Sequence, residues 1–166
     1  MVKLSDGTEM SMNDLSAKID DGEMPAKQAY GMIVEMTLGR DMMNLSELPE
    51  IDGKFAGLRR VVVPDGYDRM PSVYECPALE EIIASNTVQE LTDIYDCPKL
   101  RTLTIGSGLT DFYPTIGCPD VEIRISEDNQ TFKTQNGFVF TKDGSAVLQY
   151  FGKDRTVTIP DSVTSI

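Results

Sequence analysis

Apolar residues come back along this chain at two intervals, a short one that alternates with polar residues and a long one of 21. Leu58, Leu79, Leu100 and Val121 keep the long interval, as do the pairs Cys76-Pro77, Cys97-Pro98 and Cys118-Pro119. A fixed period near 20 residues marks a solenoid, whose coils are each too small to bury their own apolar side and must rest on their neighbours. With the first Leu of a coil as position 1, position 4 holds Val61, Ile82 and Leu103, and position 6 holds Val63, Ala84 and Ile105. That alternation predicts a short strand with one face buried. Position 10 (Tyr67, Val88, Leu109) and position 13 (Met70, Leu91, Phe112) turn a second apolar edge inward on the return side. Val73, Ile94 and Thr115, with Tyr74, Tyr95 and Ile116, are expected to continue it. Each coil closes at Cys-Pro, where the proline has no N–H to donate and favours a bend.

The pattern extends both ways. Leu45-Ser46-Glu47-Leu48-Pro49-Glu50-Ile51 parallels Val88-Gln89-Glu90-Leu91-Thr92-Asp93-Ile94, which predicts an imperfect coil before Leu58. Residues 156–166 match 60–70 in register and predict a half coil with Val157, Ile159, Val163 and Ile166 as its apolar positions. Between them, 137–141 and 146–151 read as two strands around Lys142-Asp143-Gly144-Ser145, whose Asp-Gly supplies the positive φ of a hairpin turn. Ahead of the coils, residues 3–10 read as a smaller hairpin, followed by a helix capped by Ser11 or Asn13 and carrying Leu15 and Ile19. Asp21-Gly22 breaks that helix. Pro25 can open a second one running through Met36, whose Ala29, Tyr30, Ile33, Val34 and Met36 would cover the open end of the first coil. Met32, Met36, Met42 and Met43 read as gap-filling core. The expected fold is therefore an α+β repeat: an N-terminal hairpin and helical cap over 1–44, then a solenoid of 21-residue coils over 45–166, with a hairpin insertion at about 126–155 and a truncated last coil at 156–166.

Composition narrows the chemistry. With 27 acidic and 15 basic side chains the net charge is -12, and no Lys/Arg cluster relieves it, so nucleic acid and anionic membrane surfaces are repelled. No stretch reaches membrane-spanning length. His is absent, which removes the commonest general base and metal ligand together. There is no Gly-rich phosphate loop, and Glu75, Asp93, Asp96 and Asp111 fall on repeating turn positions without the pattern of a calcium loop. No catalytic residue, cofactor or metal is expected. The three cysteines are an odd number and belong to the repeat, so they read as a buried column, with a bond between neighbours or a metal as the alternatives.

Ile159-Pro160-Asp161-Ser162-Val163-Thr164-Ser165-Ile166, a strand in each coil and a Cys near each coil's end together resemble the BspA-like leucine-rich repeats. Asn129-Gln130-Thr131-Phe132, Asn136-Gly137-Phe138-Val139-Phe140 and Ala146-Val147-Leu148-Gln149-Tyr150 resemble the hairpin often inserted between that family's repeats. The resemblance covers about 45–166 and not 1–44. It implies a leucine-rich-repeat solenoid and a surface protein engaged in adhesion or host-protein binding, with no catalytic residues. The first seven residues do not read as a secretory leader, so a cell-surface place is expected for a fragment of a secreted parent, and a virion or cytoplasmic place otherwise.

Candidate contact residues follow from the coil positions. Arg59, Glu80 and Arg101 at position 2 alternate in sign and read as a register-setting file, extended by Glu122 if the shortened last coil keeps step. Position 5 (Val62, Ile83, Thr104) points outward, and apolar side chains there suit either a contact surface or plain strand propensity. With Arg60 and Glu81 beside them, and Ile159 and Ile166 at the half coil, these are the expected partner contacts. Two functions fit: a recognition module for a protein or glycan, or a structural subunit of a larger assembly such as a phage virion or fibre, joined to copies of itself or to other subunits through the half coil.

Overall fold

The computed structural model describes residues 1–39 and 50–166. The chain opens with an antiparallel hairpin, β1 (Val2–Leu4) and β2 (Glu9–Met10), turned at Gly7 with φ 89°. Ser11 then caps α1 (Met12–Asp20) through a capping box: its hydroxyl accepts from the Asp14 amide, and the Asp14 carboxylate accepts from the Ser11 amide. Leu15 is the residue this helix buries.

The second helix, α2 (Ala26–Met32), ends four residues before the expected boundary at Met36. Ile33–Thr37 is instead a strand, β3, parallel to the first coil strand and antiparallel to β1. The physical reason lies in the residues: β-branched Ile33-Val34 disfavour helix, while Met36 and Leu38 alternate with Glu35 and Thr37 as a half-buried strand requires. A strand here covers the first coil with backbone hydrogen bonds, which a helix could not supply.

Four strands follow on one side of the coils: β4 (Arg60–Val63), then β5 (Val73–Tyr74) on the return side, β6 (Glu81–Ala84), β7 (Ile94–Tyr95) on the return side, β8 (Thr102–Ile105) and β9 (Glu122–Ile125). The main sheet runs β2-β1-β3-β4-β6-β8-β9, and β5 pairs with β7 in a small parallel sheet. The result is a solenoid of about four coils of roughly 21 residues with two short helices. Ile51 bridges Val73 on the return side, in the place of Ile94, whereas Leu45, Ser46, Glu47, Leu48, Pro49, Met42 and Met43 lie outside the described residues.

Stacking buries the repeat positions in files. Leu58, Leu79 and Leu100 are fully buried, as are Val61, Ile82 and Leu103. Cys76 and Cys97 are buried and Cys118 nearly so, all three as free thiols. Each Sγ donates to the carbonyl two residues earlier, on Tyr74, Tyr95 and Ile116. Its hydrogen bond with the Cys97 thiol, and then burial, push the Cys118 thiol well above its ordinary range. The residue before each cysteine takes a left-handed conformation, Glu75 at φ 54°, Asp96 at 53° and Gly117 at 68°. In the two-residue return strands Val73 and Ile94 point inward, while Tyr74 and Tyr95 point outward, against the expectation that both would line the core. Adjacent residues of a strand face opposite ways, so an inward pair was not available.

Beyond β9 the chain makes a three-stranded antiparallel meander, β10 (Phe132–Gln135), β11 (Phe138–Thr141) and β12 (Val147–Tyr150). The expected strand-turn-strand accounts for the last two, and Asn136-Gly137, both at positive φ, turns the first. Two polar side chains join the meander to the coils. Asn129 is fully buried: its amide donates to the carbonyls of Ser107 and Leu109, and its oxygen accepts from the amides of Thr131 and Phe132. Gln149 accepts from the Thr115 amide at 2.9 Å and donates to the Thr115 carbonyl at 3.1 Å, filling with a side chain the place that a neighbouring strand would take.

Residues 156–159 form no strand. The run 156–166 meets the β11–β12 turn through an Ala146–Ser165 bridge and the Ser162 hydroxyl, leaving Ile159 40% and Ile166 84% exposed. The sequence match to β4 does not suffice, because a lone strand without a hydrogen-bonded neighbour is not stable.

Candidate interaction surface

The outward side chains of the parallel sheet form two files. The first runs Glu9, Lys3, Glu35, Arg60, Glu81, Thr102, Glu122, fixed by the registers Lys3–Glu9, Lys3–Glu35, Glu35–Arg60, Arg60–Glu81, Glu81–Thr102 and Thr102–Glu122. The second runs Thr37, Val62, Ile83, Thr104, Arg124. Strand pairing, antiparallel at Lys3 and parallel beyond it, puts successive members of a file about 5 Å apart, close enough for side chains to touch.

The charges of this face pair with one another across and between the files. Arg60 donates to Glu81 at 2.7 Å and to Glu35 at 3.0 Å, and these bonds, led by that to Glu81, hold its guanidinium above its usual range. Arg124 donates twice to Glu122, at 3.0 and 2.9 Å, which holds the Glu122 carboxyl below its usual range. Lys3 sits 3.8 Å from Glu9. Ion pairs this exposed contribute at most about 1 kcal/mol each. Their larger effect is on chemistry, since a paired guanidinium has less to offer an anionic ligand.

The expected register file at position 2 is not where charges meet. Among the described residues no ion pair joins Arg59, Glu80 and Arg101, which are all exposed. They lie just before the strands, where the Glu80 and Glu81 amides both donate to the Arg59 carbonyl. Position 3, inside the strand, carries the ladder instead, and Glu122 stands opposite Thr102 rather than Arg101.

Val62, Ile83 and Thr104 are half-buried beside the charged file, and with Arg60 and Glu81 they share one face. Ile159 and Ile166 lie outside this sheet, on the C-terminal run. At the carboxyl ends of β6, β8 and β9 the face opens into a shallow depression of about 560 Å³, bordered by Asp65, Asn86, Thr104, Arg124 and Glu127. Glu35, Thr37 and Arg124 join the face without having been singled out from sequence. The alternation Glu35-Met36-Thr37-Leu38 was the signal for the first two.

No family model matches the chain, and no curated protein matches it. Among solved structures, it is similar to a leucine-rich repeat protein from Eubacterium ventriosum, at 15% identity and a TM-score of 0.41, over 86% of this chain and 45% of that one. It is also similar to the pneumococcal vaccine antigen PcpA, at 12% identity and a TM-score of 0.38, over 80% of this chain and 46% of that one. The chain thus spans less than half the length of either. Among the described residues no group of His, Cys, Asp and Glu is arranged to hold a metal ion, and no helix is long and apolar enough to cross a membrane.

Proposed function

We propose that this chain is a non-catalytic recognition module of the leucine-rich-repeat type, BspA-like in its repeat, which binds a protein or glycan partner on the outer face of its parallel sheet in surface or host-facing adhesion. The observation that carries the reading is the uncharged stretch Thr37–Val62–Ile83–Thr104 lying along a file whose charges are already paired. Such a face gains from covering the half-buried Val62 and Ile83, at roughly 25 cal/mol per Å² of apolar surface removed from water. The paired charges at its border then fix register more than they add affinity.

The test is a screen of the labelled chain against a displayed library of extracellular domains and a glycan array. Each binder is re-measured with Val62→Lys/Ile83→Lys and with a control, Glu80→Gln/Lys99→Gln, away from the face. Binders lost with the first variant and kept with the second support the reading. Binders indifferent to the first would overturn it.

A second reading, a structural subunit of a larger assembly such as a virion or fibre, is favoured by the exposed apolar run Val157, Ile159 and Ile166. On that reading Ile159→Lys/Ile166→Lys weakens self-association in light scattering while the melt of the coils is unchanged. A chain that stays monomeric at high concentration removes it.

A further inference from the structure

The return side of the coils carries a surface of a different character from the strand face. Tyr74 and Tyr95 point outward and stack, with ring centroids 5.1 Å apart and planes within 7°. Ile116 bridges Tyr95 as the third rung and is 68% exposed, and Tyr113 close by is 49% exposed. This is an apolar ladder on an open sheet flank, formed because the same coil position holds Tyr, Tyr and Ile in successive repeats.

Carboxylates surround it. Glu75, Asp93 and Asp96 are exposed on the same turns. Partial desolvation, then the fields of Glu75, Glu50, Asp93 and Asp96, hold the Tyr95 phenol above its ordinary range. Tyr74 donates its hydroxyl to Glu50. Over 89–96 and 110–117, the stretches that build this flank in the second and third coils, Glu90, Asp93, Asp96 and Asp111 occur and no Lys or Arg; the first coil adds one base, Arg69, opposite Glu90. On the strand face, by contrast, acids and bases alternate and pair.

We propose that this return flank is a docking surface for an arginine-rich extended segment of a partner protein. Arginine stems would lie along the Tyr74–Tyr95–Ile116 ladder, burying apolar surface, while their guanidinium heads reach the flanking carboxylates. Arginine fits better than lysine because its planar fork engages a carboxylate through two hydrogen bonds. An extended segment fits because the rungs repeat at one strand spacing, about 4.8 Å. The occupant is set by charge complementarity, and the surface is separate from the strand face, so either can stand without the other.

The probe is an arginine–serine repeat peptide, titrated into the isotope-labelled full chain at physiological ionic strength and followed by NMR. The expected result is saturable shifts at residues 73–75, 94–96 and Ile116. Glu75→Gln/Asp93→Asn/Asp96→Asn should weaken binding roughly tenfold, three exposed pairs being lost, and Ile116→Ser should weaken it through the ladder without adding or removing a charge. Asp20→Asn/Asp21→Asn/Glu127→Gln makes the same change in net charge elsewhere and should leave affinity unchanged, as should Val62→Lys/Ile83→Lys on the strand face. Shifts scattered over all acidic surfaces, equal weakening by the two triple variants, or no binding would each overturn the proposal. None of these outcomes bears on the strand face.

Discussion

Asn129 offers the sharpest test of how the coils end. The register of β9 on β8 is offset by 20 residues, so Asn129 occupies the place that Tyr67, Val88 and Leu109 fill in the preceding coils. An apolar position has become a fully buried amide with four hydrogen bonds, at 3.0 and 2.9 Å to the Ser107 and Leu109 carbonyls and 2.9 and 2.7 Å from the Thr131 and Phe132 amides. Asn129→Ala leaves these four backbone groups without that partner. At about 1–3 kcal/mol for each group that stays unsatisfied, and with water and relaxation rescuing some, the expected loss is about 3–5 kcal/mol. Asn129→Asp is more diagnostic. It keeps the acceptor for Thr131 and Phe132 but turns a carboxylate oxygen toward two carbonyl oxygens, so the folded state favours the protonated acid and the folded pKa rises above the unfolded value of about 3.9. The sign follows: the variant should approach the wild type below about pH 4 and lose stability relative to it as pH rises through the interval up to the folded pKa, with a constant deficit beyond. Urea unfolding of both proteins across that range measures the difference. A deficit independent of pH, or a loss under about 1 kcal/mol for the alanine variant, would refute the assignment of Asn129 as the joint between coil and meander.

Leu79→Ala and Leu100→Ala each delete fully buried side chains between coils and should cost about 2–5 kcal/mol in denaturant melts, and a loss below about 1 kcal/mol would contradict the stacking. Glu75 holds a left-handed backbone that Gly117 holds in a later coil, so Glu75→Gly should stabilise the fold by about 0.5–1 kcal/mol once glycine's greater freedom in the unfolded chain is subtracted, read as a higher urea midpoint. Hydrogen bonds from Thr141 and from the amide and hydroxyl of Ser145 hold the Asp143 carboxyl down to about 2, against 3.8 for an ordinary aspartate. Its contribution is therefore present above about pH 4 and fades as pH falls toward 2. Asp143→Ala should flatten that part of the acid-stability curve, and an unchanged curve would show that the turn contributes nothing.

The 21-residue period, the strands β4, β6 and β8, and the inward residues Leu79, Ile82 and Leu100 were all legible in the sequence, because in a stacked repeat the same local pattern decides both the strand and what it buries. The outward row Val62–Ile83–Thr104 followed from the same alternation. What tertiary structure decided was every feature that depends on a neighbour. Residues 33–37 had an apolar pattern readable as helix, and pairing with β1 and β4 made them a strand, adding Glu35 and Thr37 to the face. The charge ladder moved from position 2 to position 3 because only side chains inside paired strands are held one strand spacing apart. Residues 156–159 carry the letters of a coil strand yet make none, for want of a partner at their edge. Sequence fixes which side of a strand is apolar; the hydrogen-bonded neighbour, which no single segment encodes, fixes whether the strand exists and which side chains meet across it.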